Sequence, residues 1–413
     1  MSALPSWNRY PGRFTIVFGA IMLLLFALEH INGRFWLNDF RVYYGAGEAL
    51  WTGEPLYGVA HGLDSGVFKY APLLASLYAL FTLLPYSVAA SLQYILIAFA
   101  FLDGSRRIDR LVRERLLGGP SAASRRQTNY WPLFLTGLVC VVHLHRELNL
   151  GNINMMLLWL LLVAQEKVIA GKHALGGILL GGAILAKPHF VVLLPLLLLR
   201  GKYRTTGMAL AAIVIGVLLP SLFLGPAGNL EVHRSWLGAM AEHNAALIYT
   251  GGDDYRSVNT VYSFLHRAVL KHFMGPSAIE AYALLGLIAS GFGAFVLWNK
   301  RRNFDPSRTF TFEFLLLVAL VPSITLTDTE HFLLAMPLIA YLMQHLLPRS
   351  MPRWLPWVSI PILFAYGGNW EDALGPLSDR MIHYGVLGIG SFALLITCTA
   401  LFLRSNHSVP KVS

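Results

Sequence analysis

The chain has 413 residues, of which 55% are hydrophobic and 13% charged, with 37 glycines besides. Soluble domains carry about 25% charged residues, so a mainly soluble or disordered protein is excluded and lipid is the expected solvent for most of the surface. A net charge of +10 would raise the question of nucleic acid in a soluble chain. In a membrane protein the placement of Lys and Arg matters more than their sum, and no nucleic-acid partner is expected. Cys140 and Cys398 both sit in apolar runs, which offers neither a disulfide framework nor a cysteine metal site.

Arg9 and Arg13 precede an apolar run from Phe14 to Leu28. No small-x-small cleavage site follows, and Glu29, His30 and Asn32 come directly after it, so this run is expected to be an uncleaved first span. The spans are Phe14 to Ile31, Tyr86 to Leu102, Trp131 to Val142, Ile153 to Ala164, Ala174 to Leu185, His189 to Leu199, Met208 to Leu224, Ala278 to Trp298, Thr309 to Pro322, Phe332 to Leu347, Trp354 to Tyr366 and Tyr384 to Leu403. The expected fold is an all-α polytopic membrane protein of about 12 transmembrane helices, some too short to cross unless broken or protein-buried.

Tyr70 to Leu84 is apolar but short and is closed by Pro85. As a span it would put the next loop, Asp103 to Tyr130, outside the cytoplasm with Arg106, Arg107, Arg110, Arg113, Arg115, Arg125 and Arg126. The positive-inside rule disfavours that, so the segment is expected to be interfacial or re-entrant. With both termini cytoplasmic, most Lys and Arg then fall inside and most Asp and Glu outside. The chain reads as one membrane domain, 1–413, with two long outward loops: 32–85, carrying interfacial helices, and 225–277. No fixed-period repeat, Walker A motif or Rossmann fingerprint is present, so any substrate is delivered in or across the membrane.

Within the first loop, Leu37-Asn-Asp-Phe-Arg-Val-Tyr-Tyr-Gly-Ala-Gly-Glu-Ala-Leu-Trp51 reads as an interfacial helix stopped by Gly53 and Pro55. Asp39 stands at its start, either as an N-cap or as a general base facing a substrate at the membrane surface, and one residue can be both. His143-Leu-His-Arg146-Glu147-Leu-Asn149-Leu-Gly-Asn152-Ile-Asn154 lies between two apolar runs near the outer surface. Ionisable groups there face a cavity or each other, and an Arg146 to Glu147 pair is the plain alternative to ligand binding.

Lys187, followed by Pro188 and His189, interrupts two short spans. A broken helix with a cation at its tip suits an anion such as phosphate, snorkelling to the surface being the alternative. Gly176, Gly177, Gly181 and Gly182 read as close helix packing. Asp328, Glu330 and His331 cluster at the outer end of short spans, but a lone Asp-x-Glu falls short of a metal site. No cofactor is therefore expected to be required and no metal is assigned, a divalent cation at that pair being the alternative. In the second loop, Gly251 to Arg267 passes from a turn into an amphipathic helix carrying Arg256 and Arg267.

The block Asp39-Phe-x-Val-Tyr-Tyr-x-Ala-Gly-x-Ala-Leu-x-x-Gly-x-Pro-Leu-Tyr57, with Phe68-x-Tyr70-x-Pro72, resembles the first outward loop of glycosyltransferase family 87. Later blocks follow in the family's order: Asn149-Leu-Gly151-Asn152-Ile-Asn154, Ala186-Lys187-Pro188, Ser257-Val-Asn259 and Glu330-His331-Phe. Asn152 stands where the family often has Gln, and Glu330-His331 replaces paired histidines. The resemblance implies the C-type membrane glycosyltransferase fold and a polyprenyl-phosphate sugar as donor, mannose or another hexose, with a lipid or glycan acceptor.

Such a donor brings its own phosphate leaving group, so the chemistry needs one carboxylate base and a set of phosphate-holding groups. Asp39 is the expected base, and a single base implies inversion. Lys187 leads the expected phosphate ligands, followed by Arg146, His331 and His189, then Arg256 and Arg267. Tyr43, Tyr44, Tyr70, Asn152, Asn154, Asn259 and Glu330 are expected on the substrate side. The site would face outward from a bacterial-type cytoplasmic membrane, among membrane lipids. The alternatives are a transporter or flippase of a lipid-linked anion and a lipid-linked-glycan ligase or polymerase. The first would want inverted or parallel repeats, which are absent, and the second would place its chemistry in the second loop.

Overall fold

The computed structural model describes residues 11–63, 66–117, 131–245, 259–273, 278–302, 304–325, 328–347 and 351–407. Within them the chain is nearly all helix, the β pairing being an isolated bridge between Ala60 and Val67. That is the form a lipid-solvated chain must take when every backbone group has to be satisfied internally.

Each of the expected apolar segments is helical, but about twelve spans are not confirmed. Among the described residues five helices are long and apolar enough to cross a membrane: Gly12–Ile31, Tyr86–Leu116, Ile279–Arg301, Pro306–Ile324 and Val386–Ser405. Two bent pairs would bring the number to 7. Trp131–Val139 and Val141–Leu150 meet at 57°, and Tyr203–Leu218 and Ser221–Glu242 at 91° around Pro220. The remaining segments, such as His173–Ala186 and Leu355–Gly367, are shorter apolar helices. Proline, glycine and polar residues break them, and neighbouring helices cover the breaks.

Two loop boundaries also move. Residues Arg106 to Arg115, expected in a loop, continue the helix Tyr86–Leu111 and its π-turn Val112–Leu116. Much of the expected second loop is the helix Ser221–Ala245, which reaches back to the first loop: Trp236 Nε1 donates to the Lys69 carbonyl at 3.2 Å and Phe223 packs edge-on against Trp51.

The core runs along Pro306–Ile324 and Met336–Leu346, both buried almost throughout, whereas Gly12–Ile31 and Ile279–Arg301 leave most of their surface outward for lipid. Side-chain polarity separates by end. At one end Arg107 lies between Asp103 (2.6 Å) and Glu166, and Trp159 Nε1 donates to Asp103 at 2.7 Å. Near the C-terminus of Leu193–Leu199, Arg200 grips buried Glu313 in a fork, one arm at 2.7 Å, with Asn299 donating to the same carboxylate at 2.9 Å. Pairing of this kind is what lets charge enter the bundle. The candidate site lies at the opposite end of Tyr86–Leu111 and of Asn154–Ile169, where the chain breaks at Gly151, Lys187 and Thr329.

The helix His173–Ala186 packs against Tyr203–Leu218 and Asn154–Ile169 through its glycines. A Cβ on Gly181 would stand 2.7 Å from the Ala209 carbonyl oxygen, one on Gly176 2.7 Å from Val168 Cγ2, and Gly177 is equally tight against Thr205. Gly182 has nothing within 4 Å. Gly181→Val should therefore lower stability by about 1–3 kcal/mol through overpacking, while Gly182→Ala leaves it unchanged or slightly raised. Thermal unfolding of the two variants in the same detergent checks this, and equal melting temperatures would contradict close packing at Gly181.

Candidate active site

The first-loop helix begins as expected and ends at Gly53, whose left-handed backbone (φ 73°) lets its N–H close on the Ala49 carbonyl. Its start is unusual. Leu37 occupies the N-cap position in the left-handed region (φ 43°, ψ 66°), the one non-glycine residue with positive φ among the described residues. A bulky residue held there is strained. Asp39 lies in the first turn, and no side chain caps the helix. Its carboxylate turns away from its own backbone, Oδ2 accepting from Asn152 Nδ2 at 2.6 Å.

Asn152 sits in the turn between Val141–Leu150 and Asn154–Ile169. Gly151 makes that turn with φ 70°, where a Cβ would stand 2.8 Å from Phe40 Cβ and 3.0 Å from Leu37 Cβ. Glycine is thus needed both for its backbone and for the close approach of the first-loop helix. Gln93 Nε2 donates to the Gly151 carbonyl (3.0 Å), and Tyr78 donates to Gln93 (3.3 Å), bracing the turn from below. Asn152 Oδ1 accepts from Tyr43 OH (3.1 Å), Tyr70 OH (3.5 Å) and Ile153 N (2.7 Å), while Nδ2 also reaches Glu330 Oε1 at 3.4 Å.

From Glu330 the network continues. Arg146, expected as a possible partner of Glu147, donates instead to Glu330 Oε2 at 2.9 Å and keeps its side chain 46% exposed. Lys187, the C-cap of His173–Ala186, is buried; its ammonium donates to Asn154 Oδ1 at 2.5 Å and meets His331 Nε2. An ammonium only donates, so Nε2 accepts and the ring proton sits on Nδ1, 3.4 Å from Glu330 Oε1. Lys187 Nζ also lies 5.8 Å from the Tyr70 ring centroid.

Two carboxylates on one asparagine amide are driven apart. Burial pushes Asp39 up from 3.8 to about 6, with Glu330 and Asp328 adding to the rise and Lys187 and Arg146 opposing it. Burial would raise Glu330 too, but His331 and Arg146 overcome it and hold that carboxyl well below its ordinary value. Glu330 stays ionised and anchored, while Asp39 is poised to exchange a proton near neutral pH.

Of the expected residues, Asp39, Tyr43, Tyr70, Arg146, Asn152, Asn154, Lys187, Glu330 and His331 thus form one contiguous polar cluster. His189 lies half-buried in the 3-10 turn Pro188–Val192 beside it. Tyr44 turns elsewhere, donating to the Leu84 carbonyl at 2.9 Å and packing edge-on against Tyr86. Asn259 is buried against Val386–His407, its amide oxygen accepting from Gly388 N at 3.4 Å. Arg267 belongs to the helix Val261–Ala268, which Thr260 caps (3.1 Å to Ser263 N), and Arg256 lies outside the described residues. Among the described residues no group of three or more His, Cys, Asp or Glu side chains could hold a metal ion.

Sequence reasoning missed Glu147, Gln93 and Tyr78. Glu147 was legible only as a neighbour of Arg146, and its partners lie seven and eight residues onward, across a chain reversal that only the positive φ of Gly151 permits. Gly151→Ala should cost about 1–3 kcal/mol and dislodge the first-loop helix from Asn152. Lowered thermal stability together with a changed protease-cleavage pattern in residues 32–63 checks this, and a wild-type pattern would contradict it.

Comparison with known proteins places these features. The chain is similar to an alpha-(1->3)-arabinofuranosyltransferase of Corynebacterium glutamicum, with 29% identity over 212 residues, 49% of this chain and 45% of the relative. The chain thus spans about half the length of the curated relative it matches. The profile of glycosyltransferase family 87 matches residues 68–329, which takes in Tyr70, Arg146, Asn152, Asn154 and Lys187 and leaves Asp39, Glu330 and His331 outside. With well over half of its length matched, this multi-pass membrane chain belongs to glycosyltransferase family 87.

Proposed function

We propose that the protein transfers a glycosyl group from a polyprenyl-phosphate sugar to a membrane-associated or extracytoplasmic acceptor, with inversion, at the outward face of a bacterial-type cytoplasmic membrane. The C-type glycosyltransferase architecture belongs to the same proposal. One observation carries it: Asp39, with a pKa near 6, shares a single hydrogen-bonded cluster with the buried Lys187 ammonium and the half-exposed Arg146.

In the proposed reaction Asp39 takes the proton of the acceptor hydroxyl as its oxygen bonds to the anomeric carbon. The bond from that carbon to the phosphate oxygen breaks on the opposite face, and its electron pair leaves with the polyprenyl phosphate. A phosphate leaving group needs positive charge and donors rather than a proton, which Lys187 and Arg146 supply, His331 helping to hold the Lys187 ammonium through Nε2. Tyr43, Tyr70 and Asn152 position the base. The arabinofuranosyltransferase relative makes an arabinofuranosyl donor the first to test, with mannosyl and other hexosyl donors beside it.

Purified protein in nanodiscs, offered these donors with lipid extract, should yield an acceptor gaining one sugar by mass spectrometry. Asp39→Asn should abolish the transfer. Undiminished transfer by that variant would remove Asp39 as base, and movement of donor across vesicles without transfer would favour the flippase alternative. For wild type, kcat/KM should rise with pH along an acidic limb near 6, because the base acts only when ionised.

The same shift has a stability counterpart. A carboxyl titrating near 6 in the fold and near 3.8 in the open chain stabilises the protein below about pH 4, and that stability is lost as pH rises to about 6. Asp39→Asn should therefore be more stable than wild type at pH 7.5 by about 1–2 kcal/mol after allowance for partial exposure, and the gain should vanish near pH 4. Melting curves at the two pH values test this, and equal stabilities at pH 7.5 would contradict the strained charge.

A further inference from the structure

Glu147 is a fully buried acid of this region that the proposed mechanism leaves without a task. It is 0% exposed, on the helix Val141–Leu150, and both its oxygens are occupied as acceptors: Oε1 from Met155 N at 2.7 Å and Oε2 from Asn154 Nδ2 at 2.9 Å. Two accepting oxygens are the pairing that a carboxylate makes. A buried negative charge persists where a positive one answers it. The nearest answer is Lys187, joined to Glu147 by the Asn154 side chain alone.

The direction of that bridge is determined. An asparagine amide presents either an acceptor or a donor to its neighbours depending on which way it is turned. The Lys187 ammonium can only donate, so Asn154 turns Oδ1 toward it at 2.5 Å, and Nδ2 is left to donate to Glu147 Oε2. His331 Nε2 takes a second ammonium proton, which leaves the third free for a ligand.

We infer that Glu147 is a positioning residue for Lys187: acting through Asn154, it fixes where the ammonium stands and keeps it charged for a lipid-linked phosphate. This rests on the proposed reading that Lys187 holds that phosphate. The other charged and titratable groups facing Lys187 are Glu330 and His331, Asp328 ahead of them, Asp39 on the first-loop helix and Tyr70. Burial lowers Lys187 from its ordinary value, with Glu147 first among the groups opposing that fall.

Binding of undecaprenyl phosphate to the full chain in nanodiscs, measured by native mass spectrometry and by calorimetry from pH 6 to 9, tests the inference without requiring the sugar to be known. In wild type, affinity should fall along an alkaline limb as Lys187 loses its proton. In Glu147→Gln that limb should move about one pH unit lower, so that binding at pH 8 weakens about tenfold while binding at pH 6 stays near wild type. Glu147→Asp should keep the wild-type limb. A lowered melting temperature with an unmoved limb would make Glu147 purely structural and overturn the inference. If Glu147→Gln does not fold, Asn154→Ala decides, since it cuts the same link, and an unmoved limb there is equally fatal. Lys187→Ala separates the two levels: if it binds undecaprenyl phosphate as wild type does, the phosphate reading itself fails, whereas weakened binding there beside an unmoved Glu147→Gln limb sinks only the role of Glu147.

Discussion

The site depends on the amide of Asn152. Its two donors go to carboxylates on separate elements, Asp39 in the first-loop helix and Glu330 in the turn Thr329–Ala335, and its oxygen gathers Tyr43, Tyr70 and the backbone of Ile153. Every polar atom of that side chain is used in one orientation. The consequence is geometric: three segments far apart in the chain are held at hydrogen-bonding distance by a single planar group. It is also electrostatic, because two acids brought so close do not share a pKa. Glu330 takes the cations and stays ionised, which leaves Asp39 as the acid that titrates near neutral pH.

The second constraint is lipid. Charge inside a helical bundle is expensive unless paired, and the chain keeps its buried charges in clusters at its two ends. Arg107 with Asp103 and Glu166, and Arg200 with Glu313 and Asn299, are closed systems in which the cation is matched by carboxylates. The cluster around Lys187 is different in kind. Arg146 is half exposed, and the ammonium donates to Asn154 and His331 with a third proton beyond them. Broken helices serve the same end. Lys187 and Asn152 sit where helical hydrogen bonding stops, and a polar group at a break is available to a ligand without unpairing the backbone around it.

Much of this was legible because the cost of a polar residue in apolar surroundings is visible in sequence. Asp39, Arg146, Asn152, Lys187 and Glu330 each stood out against hydrophobic flanks, and the glycines of His173–Ala186 announced close packing. Span number was less accessible, since hydropathy does not distinguish a helix that crosses lipid from a short one covered by neighbours, and the bend at Pro220 turned part of an expected loop into the helix Ser221–Ala245. Pairing was the least legible. Arg146 and Glu147 are adjacent in sequence, yet successive helical side chains diverge by about 100°, which sends Arg146 to Glu330 and Glu147 to Asn154. Asn259, part of a recognisable loop block, spends its amide on a neighbouring helix.

The pairing of Glu330 with His331 follows from the same electrostatics. Glu330 supplies a fixed negative charge that anchors Arg146 and orients the His331 ring through Nδ1, so that Nε2 is turned toward Lys187. In the proposed reaction an arriving phosphate then competes with Glu330 for Arg146 while Lys187 receives it unopposed. In that reaction binding and positioning are divided: buried Lys187 is held by Asn154 and His331, while Arg146 meets the phosphate from a half-exposed side chain.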